Sequence, residues 1–180
     1  GLDTLDANTA LGLGMKVYGY DPYLSVDAAW RLSSQVKHAT DIDTIYQNCD
    51  YITLHVSYMK ETHHMLNKEA FAKMKNGVMI INTSRGGLLD ATAAIEALKQ
   101  SKIGALGLDV YEEEAQLFFE DRSDLPLQDD VLARLLTFPN VIITAHQAFL
   151  TREALNAIAS TTLSNIVAWK NGTAQNLIEG

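Results

Sequence analysis

Two kinds of segment alternate along the chain. Short apolar runs of four to six residues, with no polar side marked out, read as fully buried strands: Met15–Tyr20, Tyr51–Leu54, Val78–Ile81 and Ala105–Leu108, with the shorter Val141–Ile143 after them. Between them, apolar positions return at helical spacing over Ser25–Ser34, Asp41–Gln47, Lys68–Met74, Ala91–Gln100 and Asp129–Leu136. Ser25, Asn67 and Asp90 stand where the first helical turns need a side-chain acceptor. Repetition of strand, helix and strand predicts an α/β fold, a doubly wound parallel sheet with helices on both faces. A longer amphipathic helix is predicted over Arg152–Trp169, with Ala154, Leu155, Ile158, Leu163 and Ile166 on one side. Gly12-Leu13-Gly14 precedes a strand, so it reads as a helix C-cap and not as a phosphate-binding turn.

Composition narrows the partners. The 180 residues carry 22 acidic and 14 basic side chains, a net charge of −8, which disfavours nucleic acid and anionic membranes. No apolar run approaches the roughly 18 residues of a membrane span. No basic-plus-apolar leader is evident either, so a cytoplasmic setting is expected. The single Cys49 cannot form an internal disulfide and reads as a buried thiol. Tyr111–Asp130 is a long acidic segment, mostly solvated surface by expectation.

In an open parallel sheet, ligands bind beyond the carboxyl ends of the strands. Read in order, those ends carry Asp21, then His55-Val56-Ser57, then Asn82-Thr83-Ser84-Arg85-Gly86-Gly87, then Asp109, then Thr144-Ala145-His146-Gln147. Asp21 suits a pair of ribose hydroxyls, or a turn before Pro22. Arg85 offers a planar fork for a carboxylate, and Gly86 and Gly87 are expected to let backbone approach a ligand. His146 with Glu114 suggests an acid–base pair. Asp109 can anchor a ligand amide or a strand-end turn.

These motifs resemble the NAD-binding domain of the D-isomer-specific 2-hydroxyacid dehydrogenases. The resemblance runs from about Gly12 to the C-terminus. It rests on Asn82–Asp90 (NTSRGGLLD), Gly107–Glu114 (GLDVYEEE) and Thr144–Phe149 (TAHQAF). Ala115 where many relatives have proline, the segment Leu117–Asp130 and Gln147-Ala148-Phe149-Leu150 point to the D-lactate branch. The resemblance implies Arg85, Glu114 and His146 as catalytic residues, with Arg85, His146 and Phe149 facing a small 2-oxo or 2-hydroxy acid. For NAD it implies Asp21, Val56, Ser57, Thr62, Thr83, Ser84, Arg85, Asp109 and His146, with Ser57 where proline is usual. It also implies a homodimer.

A dinucleotide fold ordinarily opens with a strand and a glycine-rich turn, and Gly1–Leu13 reads as neither. Residues 1–180 are therefore expected to be one N-terminally truncated NAD-binding domain, weakly active alone, with 151–180 a helix leading back to a substrate domain. Two other classes compete. A non-catalytic NAD-binding or assembly module would keep the fold without turnover. A hydrolase would use Ser84, Glu114 and His146, although Asn82 stands where the first glycine of a nucleophile elbow belongs. His55, His63 and His64 lack the spacing of a zinc motif, and no metal is expected.

Overall fold

The computed structural model describes residues 4–118, 127–147 and 149–177. Residues 119–126, within the acidic segment, and Ala148 lie outside that description. The chain divides into two compact units, Gly1–His146 and Gln147–Gly180.

The first unit opens with helix α1, Thr4–Gly12. Gly14 ends it with φ of +81°, and the amides of Gly14 and Met15 return to the carbonyls of Leu11 and Ala10. The glycine pair is thus a helix C-cap, as its spacing predicts. Strand β1, Tyr18–Gly19, follows; then α2, Val26–Arg31; then β2, Lys37–His38, which lies parallel to β1. The predicted strand Met15–Tyr20 shortens to two residues because its partner strand offers only two. Lys37 and His38 are both exposed on an edge strand, so no apolar run announces them.

A second sheet has four parallel strands in sequential order: β3 Tyr51–Leu54, β4 Val78–Asn82, β5 Ile103–Leu108 and β6 Val141–Ile143. The crossovers contain α3 Ile42–Asn48, α4 Lys68–Lys73, α5 Ala91–Lys99 and α6 Asp130–Leu136. Ser25, Asn67 and Asp90 each accept an amide of the first helical turn, and Asp41 and Asp129 do the same. Helices α3 to α6 pack side by side, each against the next in order.

The strands are not uniformly buried. Ile52, Ile80 and Leu106 lie in register and are at most 5% exposed, whereas the next row contains Ile81 at 38% and Ile142 at 68%. Periodicity cannot see this, because the apolar run continues over both rows. The core gathers on the closed side, with Leu66, Ile80, Leu88 and Leu135 fully buried. Ile80→Ala leaves a void at the centre of β4 and is expected to cost about 2–5 kcal/mol, read from the urea midpoint. An unchanged midpoint would show that the site collapses without penalty.

Cys49 is the C-cap of α3 and is half-buried; burial pushes its thiol pKa up. The second unit is built on helix α7, Arg152–Lys170, capped by the Thr151 side chain at Ala154. Leu155, Ile158, Leu163 and Ile166 are exposed along it. Among the described residues, no helix is long and apolar enough to cross a membrane.

Candidate active site

Register fixes the site before any side chain does. Asn82, Leu108 and Ile143 stand side by side across β4, β5 and β6, so the residues that follow each strand emerge along one carboxyl edge. Thr83 to Gly87 follow β4, Asp109 follows β5, and Thr144 to His146 follow β6.

The β4 end is organised by Asn82, which is completely buried. Its Oδ1 accepts the Ser84 amide at 3.0 Å and its Nδ2 donates to the Arg85 carbonyl at 2.9 Å. One side chain thereby satisfies both sides of the turn that presents Arg85. The Ser84 hydroxyl donates to the Val56 carbonyl at 2.6 Å, tying this turn to the loop after β3. Its proton is spent on structure, which removes the basis for a Ser84 nucleophile. Arg85 is exposed, and its Nη1 donates to the Ser84 carbonyl at 2.7 Å. Thr83 is exposed beside it.

Gly86 and Gly87 serve the fold in a way their sequence did not announce. A Cβ on Gly86 would collide with the Tyr111 carbonyl and the Glu112 amide. A Cβ on Gly87 would lie 2.6 Å from the Tyr58 ring. Both glycines are therefore required by close packing within the chain, against the Tyr111–Glu112 backbone and the Tyr58 ring.

Glu114 and His146 meet as expected. His146 Nδ1 lies 2.9 Å from Glu114 Oε1, and Glu114 Oε2 accepts the Tyr111 amide at 2.9 Å. One carboxylate oxygen is held by backbone and the other orients the imidazole. Both side chains are mostly shielded, at 29% and 17% exposure, so the pair acts with less screening than a surface pair. Tyr111 donates its hydroxyl to Asp129 at 2.8 Å, and Asp129 caps α6 through the Leu132 amide. Burial, reinforced by Asp129, pushes the Tyr111 phenol well above its ordinary range, so it remains a donor. His146 itself has φ of 57° after Ala145 at 56°, two successive left-handed residues without glycine. The His146 amide donates to the Asp109 carbonyl, and the Thr144 hydroxyl donates to the buried Asp109 carboxylate.

The remaining predicted residues come from several segments. Asp21 accepts the Tyr23 amide at 2.9 Å, a turn role, and lines a groove of about 760 Å³ between β1 and β3. Val17, Tyr18, Tyr20, Ile52 and Leu54 are among the residues that line it. Val56 is half-buried on this groove, while Ser57 is exposed. Thr62 accepts the Met59 amide and donates to the Ser57 carbonyl at 2.9 Å, pinning the loop. Phe149 belongs to the second unit and is 47% exposed. Asn82, Thr144 and Tyr111 are the positioning residues that residue-type reasoning missed. Asn82 alone left a signal, as a lone amide closing an apolar run.

The donor set fits a dinucleotide. Asp21 can accept further hydrogen bonds, since a carboxylate offers about four lone-pair sites. It stands at a strand end on a groove that Val56 also lines, and Asp109 follows β5.

Comparison with known proteins gives the same reading. Residues 5–148 match the family described as D-isomer specific 2-hydroxyacid dehydrogenase, NAD binding domain. The chain belongs to this family. A 2-hydroxyacid dehydrogenase homolog of Haemophilus influenzae is 53% identical over 161 residues, 89% of this chain and 47% of that protein. A D-lactate dehydrogenase of Escherichia coli K12 is 52% identical, over 89% of this chain and 48% of its own. A solved D-lactate dehydrogenase of Treponema pallidum superposes with a TM-score of 0.89 at 30% identity, covering 100% of this chain and 54% of the other. The chain therefore spans about half the length of these relatives.

Proposed function

We propose that these residues form the NAD-binding and proton-transfer half of a dehydrogenase that reduces pyruvate to D-lactate. The observation that carries the reading is the Glu114–His146 pair at 2.9 Å on the strand edge where Arg85 emerges. The D-lactate dehydrogenase names of similar proteins support the substrate.

Bound NADH would supply the hydride. Arg85 would take the substrate carboxylate as a fork and polarise the neighbouring carbonyl by its charge. Protonated His146 would donate to the carbonyl oxygen as negative charge develops there. Glu114 fixes the ring through Nδ1. Asp21 would hold the adenosine ribose of NAD, with Val56, Ser57, Thr62 and Ser84 along the cofactor cleft, Thr83 near the nicotinamide ribose and Asp109 near the nicotinamide amide. Phe149 would wall the substrate's methyl group.

β1 and β3 belong to separate sheets, and both contribute residues to the groove. We read residues 1–180 as weakly active alone, since they span about half the length of the relatives, and as part of a cytoplasmic homodimer. The helix α7 would lead back to a substrate domain. The test is NADH binding and pyruvate-dependent NADH oxidation. This chain is compared with one of the relatives' length that contains it. Binding that strengthens and turnover that appears in the longer chain are expected. Binding without turnover in the longer chain would favour a non-catalytic module, and full turnover by residues 1–180 would overturn the half-enzyme reading.

A further inference from the structure

His63 and His64 are adjacent in sequence, yet their rings stack at 3.8 Å with 24° between planes. Neighbouring side chains ordinarily diverge. These converge because His64 adopts a left-handed backbone, φ of 48°, a conformation that costs a residue with a Cβ. The consequence is a shared carboxylate from a distant segment. His64 Nε2 lies 2.9 Å from Glu112 Oε2, and His63 Nδ1 lies 3.9 Å from Glu112 Oε1. One ligand atom from each of the three side chains falls within 4.8 Å of the others. All three are partly exposed, at 44%, 33% and 35%, so an ion can reach them from solvent.

We propose that His63, His64 and Glu112 bind one divalent transition-metal ion of the zinc class. Two imidazole nitrogens and a carboxylate oxygen are the donor set such ions prefer, and hard ions such as magnesium favour all-oxygen shells. A three-residue set leaves further coordination positions to water. His55, the third histidine of the sequence grouping, does not contribute. It pairs with Asp6 at 3.3 Å in another part of the unit. Linear spacing missed the cluster because its carboxylate lies 48 positions from His64.

The cluster is wired to the substrate-side turn. The His64 amide donates to the Gly87 carbonyl at 2.8 Å. Tyr58, against which Gly87 packs, shares its hydroxyl with His63 Nδ1 at 3.1 Å. Glu112 stands two residues before Glu114. The ion would therefore clamp the Tyr58–His64 loop to the Tyr111–Glu114 turn, displacing the Tyr58 hydroxyl from His63. It is a site outside the hydride chemistry, and binding does not depend on that reading.

The experiment is calorimetric titration of the chain with Zn²⁺, repeated with Co²⁺ for its visible ligand-field bands. One ion per chain is expected, with nitrogen-ligated Co²⁺ bands and a raised Tm. His64→Ala and Glu112→Gln should each weaken binding at least about tenfold, and His55→Ala should not. His63→Ala serves as a second ligand deletion, and circular dichroism checks the fold of each variant. No saturable binding by the unaltered chain, or binding undiminished in all three ligand variants, would overturn the site and leave a plain His64–Glu112 hydrogen bond.

Discussion

His146→Ala, in a chain of the relatives' length containing these residues, should lower pyruvate turnover by about 10²–10⁴-fold, with a much smaller effect on NADH affinity. The reason is local. The imidazole is the group held by Glu114 at the carboxyl edge, and alanine leaves no proton donor there. Glu114→Gln is the companion variant. It is nearly isosteric and its amide oxygen can still accept from Nδ1, but it lacks the carboxylate charge that faces the ring. A fall of roughly tenfold or more is expected, smaller than that of His146→Ala. NADH oxidation followed by absorbance gives the rate, and calorimetry gives the affinity. If His146→Ala turned over like the parent, His146 would not be the proton donor, whatever the fate of Glu114.

Gly86→Ala should be the most damaging single methyl group in the first unit. The added Cβ would meet the Tyr111 carbonyl and the Glu112 amide, which are backbone and cannot swing aside like the tip of a side chain. The turn must shift, and that turn places the Tyr111 amide on Glu114 Oε2. We expect a loss of about 3 kcal/mol in the urea midpoint, at the upper end of overpacking effects. A drop in turnover should accompany it as the Glu114–His146 pair loses its support. Gly12→Ala gives the control, because nothing lies within 4 Å of its added carbon. Equal stability of the two variants would show that the Tyr111 turn yields freely.

How much of this was legible in the sequence differs by element. Strands β3 to β6 and helices α3 to α7 fall close to their predicted spans, because buried apolar runs and helical spacing are local signals. Capping by Ser25, Asn67 and Asp90 was legible for the same reason: a short polar side chain reaches only its own first turn. Strand β2 was not, since two exposed polar residues on an edge bury nothing. The open row through Ile81 and Ile142 was also hidden. A run apolar on both faces does not say which face gets covered.

The chemistry follows the same division. By itself the sequence determined which groups follow each strand, and therefore that Arg85, Asp109 and His146 share one edge of a parallel sheet. Parallel strands all end at the same side, so order along the chain becomes position in space. Only the tertiary structure decided what these groups do to one another. It gave Gly86 and Gly87 to internal packing, committed the Ser84 hydroxyl to Val56 and fastened Glu114 through Tyr111. It also drew His63 and His64 onto Glu112. Such pairings join residues from different segments, up to 48 positions apart. They depend on packing distances of a few ångströms, which no periodicity along the chain encodes.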